Sequence, residues 1–236
     1  MATARPSGIA LRRRRGAALV CALLMLLATM LAGVAISRAV FASAASASAE
    51  RERGLAREAA EAGLRDAERD IAADPATSAN PTSAARAAQF TAAGAASFVA
   101  GCGRGSADRG LCLAVSPPAW QALDLAEADS PALVPYGHYT GARLATGRGL
   151  LPARAPAYLI EKIAPPTATA PMGSFYLITA IGFGSRATTR VVLQSVYRKP
   201  QPPPAGGTAP AVDLPAGRIG WREVGNWPQL HAKAVE

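Results

Sequence analysis

RRRRGAALVCALLMLLATMLAGVAI, at residues 12–36, carries the strongest structural signal in this chain. Its last 20 residues, 17–36, carry no charge. As an α-helix, at about 1.5 Å per residue, they would extend roughly 30 Å, which is the thickness of the hydrocarbon layer of a bilayer. The four arginines before them would hold that end in the cytoplasm under the positive-inside rule. The stretch therefore predicts a transmembrane helix that sends the rest of the chain outward.

Several kinds of N-terminal segment share parts of this pattern. A secretory signal peptide has a shorter apolar core, of about 7 to 15 residues, although the Ala/Ser tract at 42–49 offers cleavage sites of the right type. A twin-arginine export signal shares the arginine run but not the Phe-Leu-Lys that usually follows it. A plain anchor helix would leave Gly16 without a role. The arrangement also looks like a prepilin leader, which ends in Gly and is cut before the apolar segment, here between Gly16 and Ala17.

The helix pattern continues beyond the apolar run as ERERGLAREAAEAGLRDAERDI, residues 50–71. Charged residues occupy one side of this segment. Glu61 is spaced to pair with Arg57 and with Arg65, one turn away on either side. Asp74-Pro75 ends the pattern, because the residue before a proline is biased away from helical geometry. The predicted apolar face consists of small and aliphatic residues: Leu55, Ala59, Ala60, Leu64, Ala67 and Ile71.

Both ends of the chain resemble one family. The N-terminal region of type IV pilus assembly proteins of the PilX kind is similar to two consecutive segments of this chain, RGAALVCALLMLLATMLAGVAISRA and then REAAEAGLRDAE. Three later segments resemble the C-terminal end of that family: FYLITAIGFG, VVLQSVYR and GRIGWREV. The loop from Cys102 to Cys112, which ends in GLC, also fits the family. Residues 113–156 and 198–216 match poorly. Main pilins carry Glu at the fifth position after cleavage, where this chain has Cys21; the PilX-like group commonly lacks that Glu.

The resemblance implies an α+β, pilin-like fold, in which a long N-terminal helix packs on a small antiparallel sheet. It divides the chain into a leader (1–16), a transmembrane half-helix (17–36), an amphipathic half-helix (37–73) and a periplasmic globular domain (74–236). The leader would be removed between Gly16 and Ala17, and Ala17 would be N-methylated.

The same resemblance implies the role of a minor pilin, which helps to initiate or assemble type IV pili without catalysis. Its expected partners are other minor pilins, the major pilin, prepilin peptidase, the inner-membrane assembly machinery and membrane lipid. Its expected location is the bacterial inner membrane, as a single-pass protein with a cytoplasmic N-terminus, and the pilus at the cell surface. A secretion-system pseudopilin or a membrane-anchored periplasmic binding protein is the alternative.

The net charge of +9 does not indicate a nucleic-acid-binding protein. Arg5 and Arg12 to Arg15 lie in the first 16 residues, so the chain after Gly16 carries +4 of that charge. The other basic residues are dispersed, and no basic patch alternates with aromatic residues. The basicity is mainly a signal for membrane orientation.

Cys102 and Cys112 flank a Gly-rich loop, with no His or further Cys nearby. Zinc sites normally supply four ligands at closer spacings, so we expect no metal here. In an exported domain the pair predicts a disulfide, whereas in the cytosol two free thiols would be expected. Cys21, inside the apolar run, should remain unpaired.

The remaining sequence predicts a small sheet. We expect strands at Tyr158–Ile163, Ser174–Phe183, Arg190–Tyr197 and Arg218–Val224, with the middle two forming an antiparallel hairpin because the link between them is short. In Ser174–Phe183, alternate residues should face opposite sides of the sheet. Residues 75–101 are expected to be a poorly defined connection. Residues 113–156 should be loops with one short helix near 120–128, and 198–216 a Pro-rich excursion.

No catalytic constellation is present in the sequence. The two histidines, His138 and His231, are expected to be solvated, in a loop and in the tail. No nucleophile elbow, Walker A or zinc-protease motif occurs. The clusters Asp66/Glu68/Asp70 and Asp124/Glu127/Asp129 are interpreted as solvated faces. We therefore predict that the protein is not an enzyme and has no cofactor.

Overall fold

The computed structural model describes residues 15–78, 80–164, 172–200 and 215–236. Its first element, α1 (Arg15–Ala72), is a helix of 58 residues. The chain divides into two units between Ala49 and Glu50, and α1 contributes to both. The predicted continuity is confirmed, because Gly54 and Gly63 lie within α1 without interrupting it.

The second half of α1 packs on a sheet through small residues. Five of the six predicted apolar positions are buried, and only Leu55 is half-exposed. A Cβ atom at Gly182 would overlap the backbone of Ala56 and Ala60, so only glycine allows the helix to approach this strand so closely. Because alanine side chains are small, an Ala-rich helix buries little apolar area per residue. The close approach of α1 to the strand compensates for this small area by improving the packing.

The sheet contains β1 (Leu111–Leu113), β3 (Ala157–Ile163), β4 (Ser174–Phe183), β5 (Arg190–Lys199) and β6 (Gly217–Glu223), hydrogen-bonded in that order. A short strand, β2 (Val134–Pro135), also pairs with β3. The α+β, pilin-like fold is confirmed, including the antiparallel β4–β5 hairpin. The sheet is mixed rather than wholly antiparallel, because β1 runs parallel to β3.

The alternation predicted for β4 places its residues in two cores. Tyr176, Ile178 and Ala180 face α1, in a cluster with Leu64 and Ile71. The opposite face, which we call the far face, carries apolar side chains covered by the disulfide and two aromatic residues. That second cluster includes Cys102, Cys112, Trp120, Leu159, Ile181, Phe183, Val192 and Trp227.

Three regions differ from the sequence-based expectation. Within 75–101, helix α2 (Pro81–Ala88) begins at Asn80, whose side-chain oxygen accepts a hydrogen bond from the Ser83 backbone N–H at 2.8 Å. A 3₁₀ helix, Ala92–Ser97, follows it. These elements were missed because alanine-rich sequence has little periodic contrast, although Asn-Pro is a typical helix start.

The other differences concern the helices that cover the far face. Helix α3 (Ala119–Ala122) has only four residues and is shorter than predicted. Helix α4 (Trp227–Val235) forms in the tail and was not predicted. Most of the predicted Pro-rich excursion lies outside the described residues.

Candidate functional site

The first half of α1 presents an uninterrupted apolar surface. Every side chain described from 17 to 49 is exposed, and Arg38 is the only charged residue among them. The helix is long and apolar enough to cross a membrane. Gly16 and Ala17 lie in its first turns, and Cys21, a free cysteine with an exposed side chain, follows Ala17 by about one helical turn.

A buried ion pair joins the second half of α1 to α2. Asp70 and Arg86 are each 1% exposed, and Nη2 of Arg86 lies 2.8 Å from Oδ2 of Asp70. The Arg86 Nε also donates to the same carboxylate, at 3.0 and 3.1 Å from its two oxygens. The hydroxyl of Tyr158, on β3, donates to Asp70 Oδ2 at 3.0 Å. One carboxylate therefore connects α1, α2 and the sheet.

Arg86 also holds the loop that the disulfide closes. Its Nη1 donates to the carbonyl oxygens of Ala107 and Arg109, at 3.2 and 2.8 Å. Its guanidinium carbon lies 4.3 Å from the ring centroid of Tyr139. Most donors of this buried cation are thus used, as burial of a guanidinium requires.

Asp66 has a comparable role one turn earlier. Its carboxylate accepts hydrogen bonds from the Gly137 backbone N–H, at 2.7 Å, and from the Thr140 hydroxyl. The expectation that Asp66 and Asp70 form a solvated face was therefore wrong. Their partners come from segments distant in sequence, which charge patterning alone cannot reveal. Asp124, Glu127 and Asp129 are exposed, as expected.

The predicted pairing of Cys102 with Cys112 is present as a disulfide. Inside the loop, Asp108 Oδ1 accepts a hydrogen bond from the Gly105 backbone N–H at 2.7 Å. The Arg109 side chain donates to the carbonyl oxygens of Leu133 and Ser130, at 2.6 and 2.7 Å. The loop is therefore fixed to the domain at several points.

An ionic seam joins α1 to β6. Arg218 donates to Glu61 at 2.9 Å and to Glu68 at 2.6 Å, and Arg53 pairs with Glu223. Glu61 also pairs with Arg65 at 3.3 Å, as predicted.

The predicted partnership of Glu61 with Arg57 is not formed, because Arg218 occupies that carboxylate. The Arg57 guanidinium instead lies over the Trp221 ring, 5.2 Å from its centroid.

Glu161 is a buried carboxyl group on the far face of the sheet. Its Oε1 accepts a hydrogen bond from the Ala119 backbone N–H at 2.9 Å, and Oε2 has no hydrogen-bond partner among the described residues. Burial raises the pKa of Glu161 to about 7, although the Ala119 N–H acts in the opposite direction.

The two histidines lie in different elements, one in a loop and one in a helix. His138 is exposed, as expected. His231 lies in α4, with its Nδ1 2.6 Å from the Gln121 carbonyl oxygen and its ring stacked on Trp227, so its assignment to a solvated tail was wrong. Among the residues that the structure describes, no group of three or more His, Cys, Asp or Glu side chains is placed to hold a metal ion.

Sequence reasoning missed Arg86, Tyr158 and Glu161. One signal was available for Arg86, which is the only charged residue in 75–103. Isolation in an apolar, alanine-rich stretch is unusual for an exposed arginine. Glu161 interrupts a predicted strand, but its hydrogen-bond donor is 42 residues away in sequence.

Comparisons with known proteins place the chain in a family. The model described as type IV pilus assembly protein PilX C-term matches residues 72–199, more than half of the chain. The model described as PilX N-terminal matches residues 15–65. Neither the curated proteins nor the solved structures that were searched gave a match. The two matches include the apolar helix, Arg86 of the buried ion pair and the disulfide loop, and on this basis the chain belongs to the PilX family of type IV pilus assembly proteins.

Proposed function

We propose that this protein is a minor pilin that helps to initiate or assemble type IV pili, with a structural and interaction role and no catalysis. The observation that carries the proposal is that the two halves of α1 have different surfaces, in a chain of the PilX family. Its first half exposes apolar side chains throughout, and its second half packs on a sheet. Such a helix suits a subunit that is stored in a membrane and later packs against other subunits.

We further propose that the first half of α1 anchors the chain in the inner membrane. Residues 17–36 would span the bilayer once, and the arginines at 12–15 would keep the N-terminus cytoplasmic. The domain from 74 onward would then be periplasmic, where a disulfide between Cys102 and Cys112 is stable.

Processing would precede assembly. Prepilin peptidase would cut between Gly16 and Ala17, and Ala17 would then be N-methylated. The leader at 1–16 carries five of the chain's arginines, so its removal takes away the charge that opposes extraction from the membrane. The other minor pilins, the major pilin and the inner-membrane machinery are the proposed partners.

Deletion of the gene in the native host tests this function. We expect fewer surface pili and reduced twitching, restored by the wild-type chain and not by a Gly16→Val variant. Normal piliation in the deletion strain would overturn the proposal. A mature protein that keeps Met1 would indicate an anchored binding protein instead, and normal pili with defective protein secretion would indicate a pseudopilin.

A further inference from the structure

We propose that Arg57 and Trp221 anchor the docking of a carboxylate-bearing segment from another pilin-type subunit. This inference rests on the proposed function and names the surface through which the subunit would contact its partner. The site lies on the seam between α1 and β6 and is separate from the apolar half of α1.

Arg57 is a cation held in place without an acidic partner. Its guanidinium lies over the Trp221 ring, and no carboxylate of the described residues is within the 4.0 Å of an ion pair. The carboxylate nearest in helical spacing, Glu61, is bound by Arg65 and Arg218. Stacking on an aromatic ring restricts the guanidinium while leaving its N–H donors available for a carboxylate.

The surroundings of Arg57 form a concave site lined mainly by charged side chains. A cavity of about 320 Å³ is lined by Arg57, Glu58, Glu61, Arg65, Arg218 and Trp221. Arg65 and Arg218 both contact Glu61, and Arg218 also contacts Glu68, so the three guanidinium groups are balanced by Glu58, Glu61 and Glu68. Arg57 is the guanidinium of this cavity that contacts no carboxylate of the described residues, and its free donors are complementary to an acidic side chain.

Apolar surface adjoins the charged site. Trp221 is 50% exposed and Ile219, two residues away on β6, is 40% exposed. Exposed tryptophan and arginine side chains in one cluster are the composition typical of energetically dominant interface residues. The expected ligand is therefore an Asp or Glu next to an apolar residue.

The edge of β6 favours docking of side chains over addition of a strand. β6 is the last strand in the sheet order, and its outer edge has no strand partner among the described residues. However, the pairing of β5 with β6 is irregular at Val196/Tyr197, where Ile219 has no opposite residue. Bulges of this kind disfavour regular pairing along an edge.

A protein partner fits this site better than nucleic acid does. Binding along a phosphate backbone requires a series of unpaired cations, whereas the other arginines of this cavity already contact carboxylates. A single carboxylate between Arg57 and its neighbours needs only one cation with free donors.

Photo-crosslinking in the native host tests the proposal with the full chain. Ile219 is replaced by p-benzoylphenylalanine, and crosslinked products are identified by mass spectrometry. We expect a heterotypic adduct with another pilin subunit. The Arg57→Glu substitution should lower the yield of this adduct at least about fivefold.

Arg51→Glu is the matched control. Arg51 is an exposed arginine of the same helix, about 120° around its axis from Arg57. Its substitution should leave the crosslinking yield within about twofold of the parent. Substituting Lys for the partner's acidic residue nearest the adduct should restore crosslinking to the Arg57→Glu chain. Both variants should accumulate normally and retain the disulfide.

Three outcomes would overturn the docking surface. These are an adduct only with a second copy of this chain, an adduct with no pilin subunit, or an Arg57→Glu chain that crosslinks as well as its parent. If the wild-type chain still supports piliation in those cases, only this inference fails. If deletion leaves pili normal, the proposed function itself fails.

Discussion

Nη2 of Arg86 lies 2.8 Å from Oδ2 of Asp70, and neither side chain is more than 1% exposed. Through this pair, the end of the long helix is bound to α2 and to the carbonyl oxygens of Ala107 and Arg109 in the disulfide loop. The end of the helix and the disulfide loop are thus held by one guanidinium. This arrangement gives the first prediction.

Arg86→Ala should destabilise the domain by about 3–5 kcal/mol, because it leaves a buried carboxylate without its counter-charge. Equilibrium unfolding of the detergent-solubilised full chain, followed by near-UV circular dichroism, measures this change. Arg65→Ala is the control, since its ion pair with Glu61 is exposed and should contribute less than about 1 kcal/mol. An equal loss in the two variants would contradict a special role for the buried pair.

Glu161 should make the stability of the domain depend on pH. Its pKa is raised to about 7 by burial, above the ordinary value of 4.5, so the folded state retains its proton to higher pH than the unfolded state. Stability should therefore fall as pH rises from about 4.5 to 7, and then level off. By pH 8, the free energy of unfolding should have fallen by about 3 kcal/mol from its value at low pH.

Glu161→Gln should remove this dependence, because a neutral amide can still accept the hydrogen bond from the Ala119 N–H. The variant should be more stable than the wild type at pH 8 and similar to it at pH 4. Denaturant melts at both pH values measure the difference, with the exposed Glu127→Gln as control. Parallel pH profiles for the wild type and Glu161→Gln would show that the carboxyl group is ionised in the folded protein.

The unreduced, denatured full chain should react with one equivalent of thiol reagent, at Cys21, because Cys102 and Cys112 are joined. Replacing both loop cysteines by serine should cost roughly 2 to 3 kcal/mol in the chain-entropy model. Three reactive thiols in protein purified without reductant would contradict this prediction.

Processing can be measured directly as a change in mass. The intact protein from a strain with active prepilin peptidase should lack residues 1–16 and carry one additional methyl group on Ala17. Gly16→Val should keep the leader, since a β-branched side chain replaces the hydrogen at the proposed cut. Gly33→Val, within the same helix, has open space around it and should be processed normally. Retention of Met1 in the wild type would rule out the cleavage.

Cys21 should prevent the chain from polymerising alone. After cleavage, the amino group of Ala17 is a positive charge near the hydrocarbon, at a cost on the order of 3 kcal/mol. A neighbour with Glu at its fifth position can neutralise that charge, whereas a neutral thiol cannot. Overexpression of this chain alone should give no filaments by electron microscopy, and Cys21→Glu should increase its incorporation along the shaft. Long fibres of the wild-type chain alone would disprove the charge argument.

The local patterns of the sequence determined the long helix, its apolar and amphipathic halves, and the hairpin from Ser174 to Lys199. These features follow from interactions within a few residues, since an uncharged run, a helical repeat and a short turn each specify their geometry locally. The disulfide could be predicted as well, because Cys102 and Cys112 are close in sequence and the arginine run before the apolar helix predicts export.

The contacts of individual charged residues depend on the tertiary structure. A carboxylate in an amphipathic helix is usually solvated, and Asp70 is buried only because Arg86 and Tyr158 approach it from other elements. Arg57 has the spacing of a partner for Glu61, yet Arg218, 157 residues after that glutamate, takes the carboxylate. Competition for a charge depends on which segments meet in space, and it is this competition that leaves Arg57 available beside Trp221.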